Sequence, residues 1–190
     1  MPEALLDLVD NNLIVDYEPG ESPFDAIEAW VAHAWQGGNW DGQGIGSSAA
    51  RDHPLGITAL GVLDNADPNP SLGGNYDLEG ETLTTPGEDD FTQVLVKYTY
   101  VGDANLDGHV SIADLDLLAY GWENQQGQPG GTEDPRWGIG DSNHDDQVSI
   151  ADLDLLAYAW ENQGAHLPDP ATLALLGLGA AGLLARSRRR

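Results

Sequence analysis

The sequence predicts an α+β protein in three parts: a small β-dominated module with one helix, an all-α pair of loop–helix repeats, and a short apolar C-terminal helix. Three observations predict this organisation. Residues 1–100 contain strand-like alternation and turn residues, a 25-residue segment occurs twice within residues 101–164, and residues 165–190 contain an uncharged run followed by arginines.

The charge balance argues against a nucleic-acid-binding protein. The chain has 32 acidic and 7 basic side chains, a net charge of −25, and four of the bases are arginines within the last five residues. So acidic a body repels phosphates and attracts cations. The sequence contains no cysteine, which excludes disulfides and thiolate metal sites.

Residues 1–100 predict strands around one amphipathic helix. Apolar residues alternate in the strand segments and recur at helical spacing between Ser22 and Trp35, while Asp64–Asp90 is rich in turn residues and predicts a loop. The predicted elements are a hairpin of Leu5–Val9 and Leu13–Tyr17, a helix that begins after the N-cap Ser22 and ends before Gly37, a strand at Gly56–Leu63, and a half-buried strand at Thr92–Tyr100.

The duplicated segment has the oxygen pattern of a calcium loop. Gly102–Gln126 and Gly140–Gly164 are identical at 19 of 25 positions, at an offset of 38. A hard cation binds six to eight oxygens at roughly 2.4 Å, which alternate side chains of a curled loop supply. The predicted ligands are Asp103, Asn105, Asp107, the His109 carbonyl, Ser111 and Asp114 in the first loop, and Asp141, Asn143, Asp145, the Gln147 carbonyl, Ser149 and Asp152 in the second.

A surface Asx turn is the alternative interpretation of one such loop, but two copies in register favour two Ca²⁺ sites. The sixth position of the loop needs a positive φ and holds Gly108 in the first copy but Asp146 in the second. We therefore expect the second site to be weaker.

The two loops, each followed by one helix and joined by a linker, resemble a type I dockerin over Val101–Gln163. The resemblance implies a calcium-folded module that binds a cohesin. The positions that dockerins use for this contact are Ile112, Ala113, Ala119, Tyr120 and Asn124 in the first copy, and Ile150, Ala151, Ala157, Tyr158 and Asn162 in the second. Aspartate at position 12 and the single helix per loop argue against an EF-hand calcium sensor.

The two helices also predict a partner surface. Helical spacing pairs Leu115, Leu118, Ala119 and Trp122 with Leu153, Leu156, Ala157 and Trp160 across a shared interface. That pairing leaves Leu117, Tyr120, Leu155 and Tyr158 on another face, where they bind a cohesin-like partner or are covered by the chain's own linker or N-terminal module.

The C-terminus predicts a sorting signal. Ala171–Ala185 is uncharged and spans about 22 Å as a helix, against about 30 Å of membrane hydrocarbon. With Pro168-Asp169-Pro170 before it and arginines after it, the segment resembles a PEP-CTERM signal. The resemblance implies transient entry into the membrane, processing by an exosortase-type enzyme, and export to the cell surface. A core or amphipathic helix is the alternative.

No catalytic constellation is identifiable. The histidines lack zinc spacing, and the many acidic pairs do not single out a glycosidase dyad. Trp35 and Trp40 are interpreted as core residues, with sugar stacking as the alternative. No export signal is visible at residues 1–10, so we expect either the C-terminal part of a larger surface protein or a misplaced start.

The sequence thus predicts a non-catalytic, calcium-stabilised module of an exported or cell-surface protein. The alternative is the accessory tail of a polysaccharide-degrading enzyme whose dockerin binds a cohesin.

Overall fold

The computed structural model describes residues 4–66, 77–78, 81–82 and 93–164. Strands and helices alternate irregularly along this part of the chain. In order they are β1 (Leu5–Asp7), β2 (Leu13–Asp16), α1 (Phe24–Trp35), β3 (Gly44–Gly46), α2 (Ser48–Asp52), β4 (Thr58–Asp64), β5 (Asp77–Leu78), β6 (Glu81–Thr82), β7 (Gln93–Tyr100), α3 (Ile112–Asn124) and α4 (Ile150–Asn162). The predicted C-terminal helix and most of the predicted 64–90 loop lie outside the described residues.

A three-stranded antiparallel sheet, in the order β2-β7-β4, forms the centre of the fold. Val96 of β7 lies opposite Leu13 on one side and Val62 on the other. Val94, Leu95 and Val96 are each at most 1% exposed, so β7 is buried on both faces rather than on the one that its alternation predicts. Strands β2 and β4 pair with the two edges of β7, and both α1 and a 3-10 turn at residues 137–139 pack on the sheet at β4.

The predicted hairpin of the first two strands is wrong. Strand β1 pairs in parallel with β3, whereas β2 pairs antiparallel with β7. The polar residues around the turn bind distant partners: Asp7 Oδ1 accepts from the Ser48 amide at 2.8 Å, and Asn12 Oδ1 accepts from the Tyr98 amide at 3.2 Å. These long-range hydrogen bonds hold β1 and β2 beside different partner strands, although the local turn residues predicted that the two would pair with each other.

Helix α1 forms in the predicted segment, but its N-cap is Pro23 rather than the predicted Ser22. Its buried residues face the core. Ile27, Val31 and Ala34 are at most 3% exposed. Trp35 is 9% and Trp40 is 2% exposed, and their rings meet edge to face at 5.2 Å. Burial of both indoles supports their interpretation as core residues and leaves no accessible ring face for a sugar.

The segment after β7 shares the core of the sheet. Leu106 and Trp137 are 3% and 1% exposed and belong to the same buried cluster as Leu60 of β4. Gly61 makes this contact possible, because a Cβ there would lie 2.4 Å from Leu106 Cδ2 and 2.5 Å from Trp137 Nε1. The Trp137 indole also donates to the Asp103 carbonyl at 2.7 Å, which ties the linker to the first loop.

The predicted fold class, with its separate all-α pair, is therefore wrong. Helices α3 and α4 follow the two loops, but the chain forms a mixed structure in which Leu117 belongs to the sheet cluster. Leu118 and Leu156 share a second cluster with Ile57 and Tyr100 of the N-terminal part. The predicted helix–helix interface therefore forms in part, since Leu118 and Leu156 lie in one cluster but share it with residues of the N-terminal part.

The exposure of the helix residues follows from this packing. In the predicted helix–helix interface, Trp122 and Trp160 are 38% and 39% exposed, and Ala119 and Ala157 are also exposed. In the predicted partner surface, Leu117 is buried and Leu155 packs against the sheet cluster, so the chain itself covers both. Tyr120 packs against the second cluster, while Tyr158 remains 46% exposed.

A single methyl group tests the shared core. We expect Gly61→Ala to lower the free energy of unfolding by about 1–3 kcal/mol, because two buried side chains must move to admit the Cβ. Urea unfolding of the full chain measures the change. Gly164→Ala is the control, since nothing lies within 4 Å of its Cβ position. Equal stability of the two variants would show that the first loop does not pack on β4.

Candidate metal centres

The carboxylate of Asp103 organises the first loop, residues 103–114. It is fully buried, and its Oδ1 accepts from the Asp107 amide at 3.1 Å while its Oδ2 accepts from the Gly108 amide at 2.9 Å. The Thr99 hydroxyl at the end of β7 donates to the same Oδ2. One side chain thus curls the next five residues around itself and anchors them to the sheet.

The next two predicted ligands continue the curl. Asn105 Oδ1 accepts from the Asp107 amide at 2.9 Å, and Asp107 Oδ1 accepts from the His109 amide at 2.9 Å. Each is an Asx turn, in which a side-chain oxygen accepts from the amide two residues on. Gly108 completes the turn with φ 90°, in the left-handed region that glycine adopts without a side-chain penalty.

Asp114 closes the loop from the first turn of α3. Its carboxylate is buried, and it accepts from the Asn105 amide at 3.2 Å through Oδ1 and from the Ser111 amide at 2.8 Å through Oδ2. Ser111 is the N-cap of α3, and its hydroxyl accepts from the Ala113 amide at 3.1 Å. The predicted position-12 ligand therefore joins the start of the helix to the start of the loop.

The second loop, residues 141–152, has the same principal bonds. Asp141 accepts from the Asp145 and Asp146 amides at 3.2 and 3.1 Å, and Asn143 Oδ1 accepts from the Asp145 amide at 3.0 Å. Asp152 accepts from the Ser142 and Ser149 amides, both at 2.9 Å. Asp146 has φ 62°, so the positive φ expected at this position is confirmed for a residue that carries a Cβ.

Burial shifts the ionisation of these carboxylates. It raises the pKa of Asp103 from the usual 3.8 to about 7, and burial together with the charge of Asp152 raises the pKa of Asp141 to about 7. The pKa values of Asp114 and Asp152 are raised for the same reason. A buried carboxylate without a compensating cation favours its neutral form.

Three basic side chains of the described part have identified acceptors. Lys97 Nζ donates to the Leu106 carbonyl at 2.7 Å, Arg51 pairs with Asp52 at 2.8 Å, and Arg136 pairs with Glu133 at 3.6 Å. In these interactions Lys97 binds a backbone carbonyl of the first loop, and the two arginines bind carboxylates that lie outside both loops.

The donor set of each loop consists of oxygens, which suits a hard divalent cation. Within residues 4–66 and 93–164, however, no three His, Cys, Asp or Glu side chains converge as a ready-made metal group. The carboxylates accept from backbone amides, and Ser111 and Ser149 cap their helices. The hydrogen bonds thus bring Asp103, Asn105, Asp107 and Asp114 together, and likewise their counterparts, while the His109 and Gln147 carbonyls remain predicted ligands.

Two glutamines that sequence reasoning missed connect the loops to each other. Gln125, directly after α3, accepts from the Val148 amide at 2.9 Å and donates to the Val148 carbonyl at 2.6 Å. Gln163, directly after α4, does the same with the Val110 amide and carbonyl at 2.7 and 2.6 Å. Each glutamine side chain thus pairs with the backbone of the other repeat's loop, as a residue of a neighbouring strand would. We call these two reciprocal pairs, Gln125 with Val148 and Gln163 with Val110, the glutamine clamp.

Two further residues that sequence reasoning missed lie at the second loop: Glu28 of α1 and His144 of the loop itself. Glu28 and His144 line a cavity of about 470 Å³ with Asp141 and Asp146. Burial raises the pKa of Glu28 to about 8, with the Asp141 charge contributing, and lowers the pKa of His144 to about 4. The His144 ring stacks on Trp137, with the ring centroids 5.5 Å apart, so the indole covers one face of the imidazole. No local pattern marks either residue, because their neighbours are remote in sequence.

Loss of one glutamine tests the clamp. We expect Gln125→Ala to lower the free energy of unfolding by about 1–3 kcal/mol, because the buried amide and carbonyl of Val148 lose their partner. Gln128→Ala, at an exposed position, is the control and should change stability little. Urea unfolding with matched calcium concentrations measures both. If Gln125→Ala matches its control, the clamp does not stabilise the fold.

Comparison with known families supports the predicted sorting signal. Residues 168–190 match the PEP-CTERM protein-sorting motif. No family match supports the dockerin resemblance of residues 101–164. The comparisons with curated proteins and with solved structures returned no significant match.

The motif indicates an exported, cell-surface protein that is processed by an exosortase-type enzyme. Among the described helices, none has both the length and the apolar character needed to cross a membrane. The matched segment itself lies outside the described residues.

Proposed function

We propose that the chain is a non-catalytic, calcium-stabilised module of an exported cell-surface protein. One observation carries the proposal: two loops hold buried carboxylates in the same network of backbone amides, 38 residues apart. The export part rests on the sorting motif. Calcium is the hard oxygen-binding cation that such a loop suits, and extracellular modules bind it at about 0.1–1 mM.

The role of the ion would be structural. When bound, it supplies positive charge that offsets the buried carboxylates of Asp103 and Asp141. The first loop also carries Leu106 and the carbonyl that binds Trp137 into the sheet core. Because loop and core are connected in this way, binding energy at the loop becomes folding energy of the wider structure.

A partner-binding role is the second candidate. Ile112 and Ile150 are 61% and 60% exposed at equivalent positions of α3 and α4, and exposed apolar side chains of this kind favour a protein contact. Both belong to the positions that dockerins use. Binding of a purified cohesin, measured with and without Ile112→Asp, tests this role separately from calcium binding.

The pH dependence of stability tests the calcium role. With a chelator, we expect the free energy of unfolding to fall as pH rises from about 4 to about 8. The folded state raises the pKa values of Asp103 and Asp141 to about 7 and of Glu28 to about 8, so it binds protons that the unfolded chain has already released. With millimolar calcium the fall should be reduced, because the ion favours the deprotonated carboxylates.

Melting curves by circular dichroism across this pH range measure the effect. The double variant Asp103→Asn with Asp141→Asn should lose most of the calcium-induced rise in Tm, whereas Asp116→Asn, at an exposed position of α3, should retain it. Identical curves with calcium and with chelator at every pH would refute the calcium role.

The two loops differ at their sixth position, and the difference predicts their relative affinity. Asp146 holds φ 62° with a Cβ present, which costs on the order of 1 kcal/mol. We therefore expect Asp146→Gly to tighten the second site several-fold at about 0.15 M salt. The gain should shrink at low salt, where the additional carboxylate attracts the ion more strongly.

The reverse change, Gly108→Asp, is the matched control and should weaken the first site. Calorimetric titration of each variant at two salt concentrations measures both affinities. If Asp146→Gly weakens binding at both concentrations, the carboxylate contributes more than the backbone strain costs.

A further inference from the structure

A groove separate from the carboxylate cluster lies between the end of α3 and the start of α4. It has a volume of about 590 Å³, and its side walls come from Trp122 and Gln125–Gln128 on one side and Gln147–Ile150 on the other. The loop carboxylates do not line it. Its lining does include Gln147 and Ser149, whose backbone carbonyl and hydroxyl are predicted ligands of the second loop.

The groove is electrically neutral in a strongly acidic protein. Its side chains are Trp122, Gln125, Gln126, Gln128, Gln147 and Ile150, with a glycine, a valine and a serine completing the lining. None of these side chains ionises near neutral pH, although the chain has 32 acidic residues and a net charge of −25. A neutral lining neither attracts a cation nor pairs with an anionic group, so it suits an uncharged polar ligand.

Trp122 supplies an apolar surface at the edge of this groove. Its side chain is 38% exposed, so part of the indole is accessible to a ligand in the groove. The C–H-bearing face of a pyranose ring is apolar and flat and can lie against an indole. The hydroxyl groups at the edge of the same sugar ring remain available for hydrogen bonds.

The glutamines provide both a fixed floor and free amides for those hydroxyls. Gln125 is held by two bonds to the backbone of Val148, at 2.6 and 2.9 Å, so the floor is rigid. The side-chain amides of Gln128 and Gln147 are exposed and have no hydrogen-bond partner among residues 4–66 and 93–164. An amide both donates and accepts, as a hydroxyl group does.

We propose that this groove binds a neutral saccharide, with the sugar ring stacked on Trp122 and its hydroxyls bonded to the amides of Gln128 and Gln147. The proposal uses the Gln147 side-chain amide, whereas the predicted calcium ligand at this residue is the backbone carbonyl. The ligand would then be a neutral polysaccharide, a class of molecule that an exported module meets outside the cell.

The second copy of the repeat supplies a matched control. Trp160 stands 38 residues after Trp122 and is equally exposed, at 39%. Its neighbours differ, because Gly164 replaces Gln126 and His109 replaces Gln147. The ring is thus retained while the amide-rich walls are not, so Trp160 should contribute little to saccharide binding.

Calorimetric titration of the full chain, in buffer with calcium, tests the proposal with short neutral β-1,4-glucan, β-1,3-glucan, α-1,4-glucan and mannan oligosaccharides. We expect at least one to bind. Trp122→Ala should then lower its affinity about tenfold or more, and Trp160→Ala should leave it unchanged. Gln147→Ala, which keeps the ring, should lower it several-fold, and circular dichroism confirms that each variant is folded.

Three outcomes would overturn the proposal. The first is that no neutral oligosaccharide binds the wild-type chain. The second is that Trp122→Ala and Trp160→Ala bind equally well. The third is that sedimentation shows a dimer that Trp122→Ala dissociates, which would assign the exposed ring to a second copy of this chain.

Discussion

The burial of Asp103 and Asp141 is the constraint on which the rest of this structure depends. Each carboxylate accepts from two amides four and five residues ahead of it and so determines the path of its loop. Each loop also turns one side chain inward from a left-handed backbone position, at Leu106 with φ 56° and at His144 with φ 54°. Leu106 belongs to the buried cluster of the sheet, and the His144 ring stacks on Trp137. Charge in the loops and apolar packing in the core are therefore one coupled system, and a change in the ionisation of either aspartate acts on both.

Elements with a strong local signal were predictable from the sequence. Helices α3 and α4 begin directly after the serines that cap them, and α1 follows its apolar spacing. Partner choice was not predictable, because it is decided over long distances. Strand β2 pairs with β7, some 80 residues further along the chain. Leu117 likewise looks like any apolar helix residue, and nothing near it in sequence identifies the sheet as its partner.

The same distinction applies to the candidate site. Regular spacing was enough to predict that the acidic and amide side chains of each loop lie together. It did not reveal the glutamine clamp, whose bonds span 23 and 53 residues, or the position of Glu28 beside the second loop. The only available signal for the clamp was that both copies end in the same Glu-Asn-Gln sequence, which helical periodicity does not explain.

The reciprocity of the glutamine clamp has a consequence for how such a gene can change. Tandem copies with long identical stretches are prone to unequal recombination, which removes or adds one copy at a time. Deleting either copy here would remove the glutamine that binds the other loop. The remaining loop would then lack the side chain that binds its backbone at Val148 or Val110. The two copies therefore depend on each other for stability, and the duplication, once established, is difficult to reverse in a single step.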